Sequence, residues 1–456
     1  MNHERVTNPN KMDPAGRRLK DMNLRLRTLT VFAGIRKDAV VAALEDLLAT
    51  DSGNAEEFAE CYCSFAAALY ERDTDWSRYL HSLVLEDDNI CVRRAAAAQD
   101  GENCTPEDVL GPVLAESLAR ELAILQDLSA LSSEEVRMTP ARVSSEEVRM
   151  NADGVPGEGA AAGCDKDSPE CGGYLPRWET SEYDFAADYE AHLKELPRRG
   201  YGIYARYHVF RVDGTQLVPV LCPDPQRILD LVGYDAQREP VIDNTKAFLQ
   251  GLPANNVLLY GDAGMGKSST VKAIANEYRD EGLRLIEIKQ SQLKEIPAVL
   301  EALAGNPLHF ILFIDDLSFD SGNEEFIALK NILEGGAYDT RGNVLIYATS
   351  NRRHFVKEDA SARTGNEMFV NDSIQETMSL AARFGLTVTF QKPKKDLYLE
   401  IVEALAERSG IEMDRYELRI QAEAFAIRAS GRSPRTARQF VDTVNIQRHL
   451  AEAPEK

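Results

Sequence analysis

Eight consecutive residues carry the clearest chemistry in the chain. Gly261-Asp262-Ala263-Gly264-Met265-Gly266-Lys267-Ser268 fits the pattern G-x-x-x-x-G-K-[ST], and Ser269 extends it by a second hydroxyl. Glycine adopts backbone angles that other residues resist. Lacking a Cβ, it lets amide N–H groups come close to an anion. A helix starting at Lys267 would aim its positive end at the same place. Lys267 adds a point charge suited to β- and γ-phosphates, and the Ser268 hydroxyl can ligate magnesium. The loop therefore reads as a cradle for a nucleoside polyphosphate, with the base left open.

A second group lies downstream. HFILFIDDLSF, residues 309–319, is an apolar strand that delivers Asp315 and Asp316 at its end. Where such a pair accompanies a phosphate loop, the first acid holds Mg2+, usually through water. The second orients or deprotonates an attacking water. Asp315 is thus the expected metal partner and Asp316 the expected catalytic acid–base group.

Positioning these residues needs strands that end where helices begin. NVLLY, LRLIEIK, HFILFID, NVLIYATS and LTVTF read as buried strands. TVKAIANEYRDE, SQLKEIPAVLEALA, NEEFIALKNILEG and SIQETMSLAARF read as the helices between them. This alternation predicts an α/β domain over 233–392, a parallel sheet with helices on both faces. After Pro393 the strands stop, and three amphipathic helices predict a lid over 393–456. Upstream, YGIYARYHVFRVDGTQLVPVL carries Asp213-Gly214 between β-prone runs and predicts a hairpin. It belongs to a lead-in over 178–232, followed by a mostly helical stretch in which Pro240 marks a helix start or a break. Residues 1–130 carry apolar residues at helical spacing and predict a helical N-terminal domain. Between them, 131–177 holds SSEEVRM twice and then a run rich in Gly, Ala, Asp and Glu. That composition buries too little apolar area to offset chain entropy and predicts a flexible acidic linker.

Composition narrows the function classes. The chain has 456 residues, 44% of them hydrophobic and 28% charged, as in a soluble protein of two or more domains. No stretch approaches a membrane span, and the N-terminus has no signal-peptide apolar core, so a cytoplasmic location is expected. Seven cysteines, an odd count without a C-x2-C pair, point to reduced thiols. Cys164 and Cys171 flank an acidic loop but have no second ligand pair nearby to make a metal site. The net charge is −22, over half of it within 101–200, which opposes non-specific binding to nucleic acid. The basic triplet Arg352-Arg353-His354 is a local exception. It could touch phosphate, a neighbouring subunit or nucleic acid, or be a solvated loop.

The stretches GYDAQREPVIDNTKAFLQGLPANNVLLYGDAGMGKSST, GLRLIEIKQSQL, FILFIDDLSF, NVLIYATSNRRH, SLAARFGLTVTF and SGRSPRTARQF together resemble the AAA+ ATPases. Within that superfamily they look like a bacterial family known only as a domain of unknown function. The resemblance covers roughly residues 195–445 and implies a five-stranded sheet with a C-terminal helical lid. It implies that Asn351 is the sensor polarising water near the γ-phosphate. It makes Arg383 an arginine finger reaching a neighbouring subunit, and hence a homo-oligomer on nucleotide binding. It makes Arg435 the second sensor, reaching the nucleotide from the lid, with Arg432 the competing assignment. It places Val232, Gly233 and Tyr234 over the adenine. One departure stands out: many AAA+ ATPases carry Glu as the second acid, and here it is Asp316. The expected function is an ATP- and Mg2+-dependent ATPase that remodels or assembles an unknown partner bound through 1–130. The alternative is a nucleotide-gated scaffold with little turnover. A DNA-linked role follows only by analogy with replication initiators and helicase loaders.

Overall fold

A computed structural model describes residues 14–50, 55–98, 109–137, 175–317, 324–333, 342–351, 382–429 and 431–452. The SSEEVRM repeat beyond Arg137, Cys164 and Cys171, Arg352-Arg353-His354 and most of SIQETMSLAARF lie outside them. The chain divides into two compact units, residues 1–196 and 197–456.

The first unit is helical: α1 (Pro14–Arg27), α2 (Ala39–Ala49), α3 (Ala55–Tyr70), α4 (Trp76–Leu85), α5 (Ile90–Ala98), α6 (Pro112–Ser129) and α7 (Phe185–Lys194). Short acidic side chains start three of these helices. Asp38 accepts from the N–H groups of Val40 and Val41, Asp75 from Arg78 and Asp184 from Ala187, which satisfies donors that a helix leaves open. Glu121 on α6 is buried, and its carboxylate accepts from the backbone N–H groups of Thr30, Val31 and Phe32. The expected linker begins and ends in this unit. Residues 133–137 are helical with Val136 buried, and the Trp178 ring packs on Tyr62 and Phe65. Arg137 donates to the carbonyls of Leu175 and Pro176, and Trp178 Nε1 donates to Leu131 O at 2.9 Å. The two flanks of 138–174 are therefore fastened to each other. The boundary between the units falls at 196/197, inside the expected 178–232 lead-in.

The second unit is built on β1 (Val209–Asp213), β2 (Gln216–Pro219), β3 (Val257–Gly261), β4 (Leu283–Ile288), β5 (His309–Ile314), β6 (Val344–Ser350) and β7 (Leu386–Phe390). They form one sheet in the order β2-β1-β4-β5-β6-β3-β7, with every pairing parallel except β1–β2. The α/β class expected from the sequence is present, but the sheet has seven strands rather than five. The hairpin, expected as a separate lead-in, docks its β1 alongside β4 with Phe210 opposite Ile286. Two local features hold it there. Gly282, at φ 95, has no room for a Cβ, which would sit 2.1 Å from Pro197 O. The buried Arg284 guanidinium donates to the carbonyls of Tyr204 and Arg199 at 2.7 and 3.1 Å.

Alternation along the strands divides the core into two layers. Leu283, Leu285, Ile311 and Phe313 face one side, covered by α8 (Asp235–Leu249), α9 (Lys267–Glu277) and the lid helices. Ile286, Ile288, Phe310, Leu312 and Ile314 face the other, covered by α10 (Ile296–Leu303) and α11 (Glu324–Leu333). Pro240 lies inside α8 without ending it. The lid consists of α12 (Lys395–Arg408), α13 (Arg415–Arg428) and α14 (Pro434–Glu452). Among the described residues, no helix is long and apolar enough to cross a membrane.

Candidate functional site

The phosphate loop follows β3. Gly261, at φ 147, lies opposite Phe390 on β7, and a Cβ there would sit 2.0 Å from Phe390 O. Gly264 and Gly266 have φ of 80 and 92, the left-handed region that favours glycine. Gly266 caps α9, whose first residue is Lys267. The Lys267 side chain is buried. Its Nζ donates to the carbonyls of Gly261 and Asp262 at 2.7 and 2.9 Å and to Asn351 Oδ1 at 2.9 Å. Burial lowers its pKa, and the carboxylates of Asp316, Asp315 and Asp262 act in the opposite direction. Residues 263–269 line a cavity of about 490 Å³, whereas Gly261 and Asp262 do not. The Asp262 carboxylate faces Lys392 at 3.9 Å instead.

The register of β5 against β6, with Ile314 opposite Ala348, sets Thr349–Asn351 beside the two acids. Ser268 Oγ and Thr349 Oγ1 each donate to Asp315 Oδ1 at 2.6 Å. Asp316 is left-handed at φ 55, its N–H donates to Thr349 Oγ1 at 2.9 Å, and its carboxylate accepts from Asn351 Nδ2 at 2.5 Å. Asn351 thus bridges Lys267 and Asp316 through the two ends of one amide. The Ser268 hydroxyl beside the Asp315 carboxylate is a small set of hard oxygen donors, which fits Mg2+ bound jointly with phosphate oxygens. Among the described residues, no group of three or more His, Cys, Asp or Glu could hold a metal by itself.

The lead-in and the lid supply the remaining walls. Val232 and Tyr234 line the cavity. Gly233, at φ 74, does not, and a Cβ on it would meet Ile401 at 3.0 Å. Tyr234 is left-handed at φ 61, stacks on Phe390 at 5.5 Å and donates its hydroxyl to Gln391 O at 2.6 Å. Arg435, in the first turn of α14, lines the cavity, and its backbone N–H donates to Gly264 O at 3.3 Å. Arg432 does not line it. Its guanidinium forks onto Glu423 at 2.8 and 2.7 Å, which holds the Glu423 carboxyl below its usual range. Arg383 is half-exposed just before β7 and is not part of this cavity.

Sequence reasoning did not single out Thr349, Arg238 or Arg438, all of which line the cavity. Strand period places Thr349 on the same side as Asn351, and helical spacing places Arg438 one turn after Arg435. Both were open to inference once their neighbours were named. Arg238 carried no such signal: it donates to Leu231 O at 3.2 Å and Asp235 Oδ1 at 2.5 Å, bracing the cavity wall.

The chain has partial likeness to characterised proteins. It is 32% identical over 117 residues to the replication factor C large subunit of Staphylothermus marinus, covering 24% of this chain and 27% of that protein. It is 34% identical over 116 residues to the proteasome-activating nucleotidase of Methanocella arvoryzae, covering 22% and 28%. It thus spans about a quarter of the length of these curated relatives. Among solved structures, it is similar to the RuvB Holliday junction branch migration motor of Thermotoga maritima. That match has 19% identity and a TM-score of 0.35, covering 50% of this chain and 67% of that one. Residues 204–448, more than half the chain, match the family described as Protein of unknown function (DUF815). The phosphate loop, the paired acids and the lid all fall within that span, and the chain belongs to this DUF815 family, within the AAA+ P-loop ATPase superfamily.

Proposed function

We propose that the second unit binds ATP with Mg2+ and hydrolyses it, and that nucleotide state moves the lid against the phosphate loop. The observation that carries this is one hydrogen-bonded array at the cavity mouth: Lys267 to Asn351 to Asp316, beside Ser268 to Asp315 to Thr349. Backbone amides of 263–268 and the N-terminus of α9 take the phosphates, and Lys267 exchanges its carbonyl acceptors for phosphate oxygens. Ser268 and Asp315 hold Mg2+, which when bound neutralises charge on the β- and γ-phosphates. Water attacks the γ-phosphorus as the bond to the β–γ bridging oxygen breaks and ADP departs; the Asp316 carboxylate takes the proton of that water, and Asn351 holds the carboxylate in place. Arg435 meets the phosphates from the lid, and Val232 and Tyr234 form the base side, with Gly233 between them turned towards Ile401. Arg383 acts in trans, which makes the active form an oligomer. Residues 1–130 hold the partner, and the net charge of −22 disfavours a nucleic acid as that partner.

Phosphate release by the purified chain, followed across protein concentrations, tests this reading. Lys267→Ala should fall to background. Asp316→Asn should retain ATP and slow release by about 100-fold or more. Equal rates in wild type and both variants would refute hydrolysis at this site. A second reading is favoured by the Asn351 contact, which occupies the Asp316 carboxylate: a nucleotide-gated scaffold with little turnover. It predicts ATP-dependent assembly with the nucleotide recovered intact.

A further inference from the structure

We infer that Thr349 is a positioning residue for both acids that follow β5, an inference that rests on the Mg2+-dependent nucleotide site proposed above. Its side chain is buried, and its hydroxyl has one proton to give and lone pairs to receive. The proton goes to Asp315 Oδ1 at 2.6 Å, and a lone pair accepts the Asp316 N–H at 2.9 Å. The same Asp315 oxygen also accepts from Ser268, so one carboxylate is aimed by a hydroxyl from the phosphate loop and another from β6. Asp316 needs the second bond. Its left-handed backbone is unfavourable for a residue with a Cβ, and the Thr349 bond fixes it from the main-chain side. Two further bonds complete a staple across 315–317: Leu317 N–H donates to Thr349 O at 2.7 Å, and Ser350 Oγ donates to Leu317 O at 2.9 Å. The backbone half of this staple is independent of side-chain type. The hydroxyl of Thr349 is the part that reaches the acids.

Valine has nearly the shape of threonine and makes neither hydroxyl bond, whereas serine retains both. ATP binding by the full chain, measured calorimetrically in Mg2+ and in EDTA, separates a positioning role from a packing role. Thr349→Val should lose roughly 10- to 100-fold of the Mg2+-dependent gain in ATP affinity while its affinity in EDTA stays at the wild-type value. Its phosphate release at saturating Mg2+ should also fall, and Thr349→Ser should recover both properties. Should the valine variant fail to fold, Thr349→Ala is read by the same criteria. Unchanged Mg2+ dependence, or an equal loss in EDTA, would overturn the inference. Wild-type protein that takes up no ATP in either condition would instead remove the nucleotide site itself, and the inference with it.

Discussion

At the scale of single residues, the site is built as much from what a side chain leaves out as from what it supplies. Gly261 is required by two independent constraints, a left-handed φ of 147 and the Phe390 carbonyl 2.0 Å from where a Cβ would sit. Gly261→Ala should therefore cost more than about 2 kcal/mol of stability in denaturant titration, beyond ordinary glycine strain. Gly305 provides the control. Its φ is 78, but nothing lies within 4 Å of an added Cβ, so Gly305→Ala should cost only about 1 kcal/mol. Equal losses at the two positions would show that the close approach of β7 does not matter.

At the scale of elements, the lid is held by packing and by charged clasps, one of them between α12 and α13. Glu403 on α12 accepts from Arg415 and Arg419 on α13, and its pKa is lowered to about 2, chiefly by the Arg415 bond and then by Arg419. A depressed carboxyl pKa contributes stability above its unfolded value of 4.5, and that contribution is lost as pH falls towards 2. Arg415 is 72% exposed, so solvent screening keeps the clasp weak. Glu403→Gln should thus be less stable than wild type at pH 7, and the two should converge only as the pH falls through about 2. A constant difference across that range would exclude the clasp. The elements themselves were largely legible in the sequence. NVLLY, HFILFID and NVLIYATS announce buried strands by short apolar runs, and the phosphate loop is a contiguous pattern that needs no partner to be recognised. Long-range pairing was not legible. That β1 docks on β4 depends on Gly282 meeting Pro197 and on Arg284 reaching carbonyls far away in sequence. The Thr349 staple depends on the β5–β6 register, which no local window contains. Arg432 and Arg435 look alike in the sequence, and they are separated only by the Glu423 partner of the first and the Gly264 contact of the second.

At the scale of the whole molecule, the chain divides into a helical unit and a sheet unit at 196/197. Both described flanks of the stretch expected to link them belong to the helical unit, with Arg137 donating to the carbonyls of Leu175 and Pro176. Replacing 140–172 by about ten Gly/Ser residues should therefore leave ATP binding unchanged. Arg137→Ala should lower the melting temperature of the helical unit. Loss of nucleotide binding on excision would show that the stretch belongs to the second unit's function.

The torsion angle at residue 316 has a bearing on why this acid is an aspartate. Short side chains that can bond locally tolerate the left-handed region better than a longer carboxylate does. Reach at this position is therefore set by how the main chain turns after β5, not by the number of methylenes beyond it. Lengthening the side chain alone would move the carboxylate off the Asn351 amide it now meets, so a glutamate that kept this bond would require the turn to be rebuilt as well.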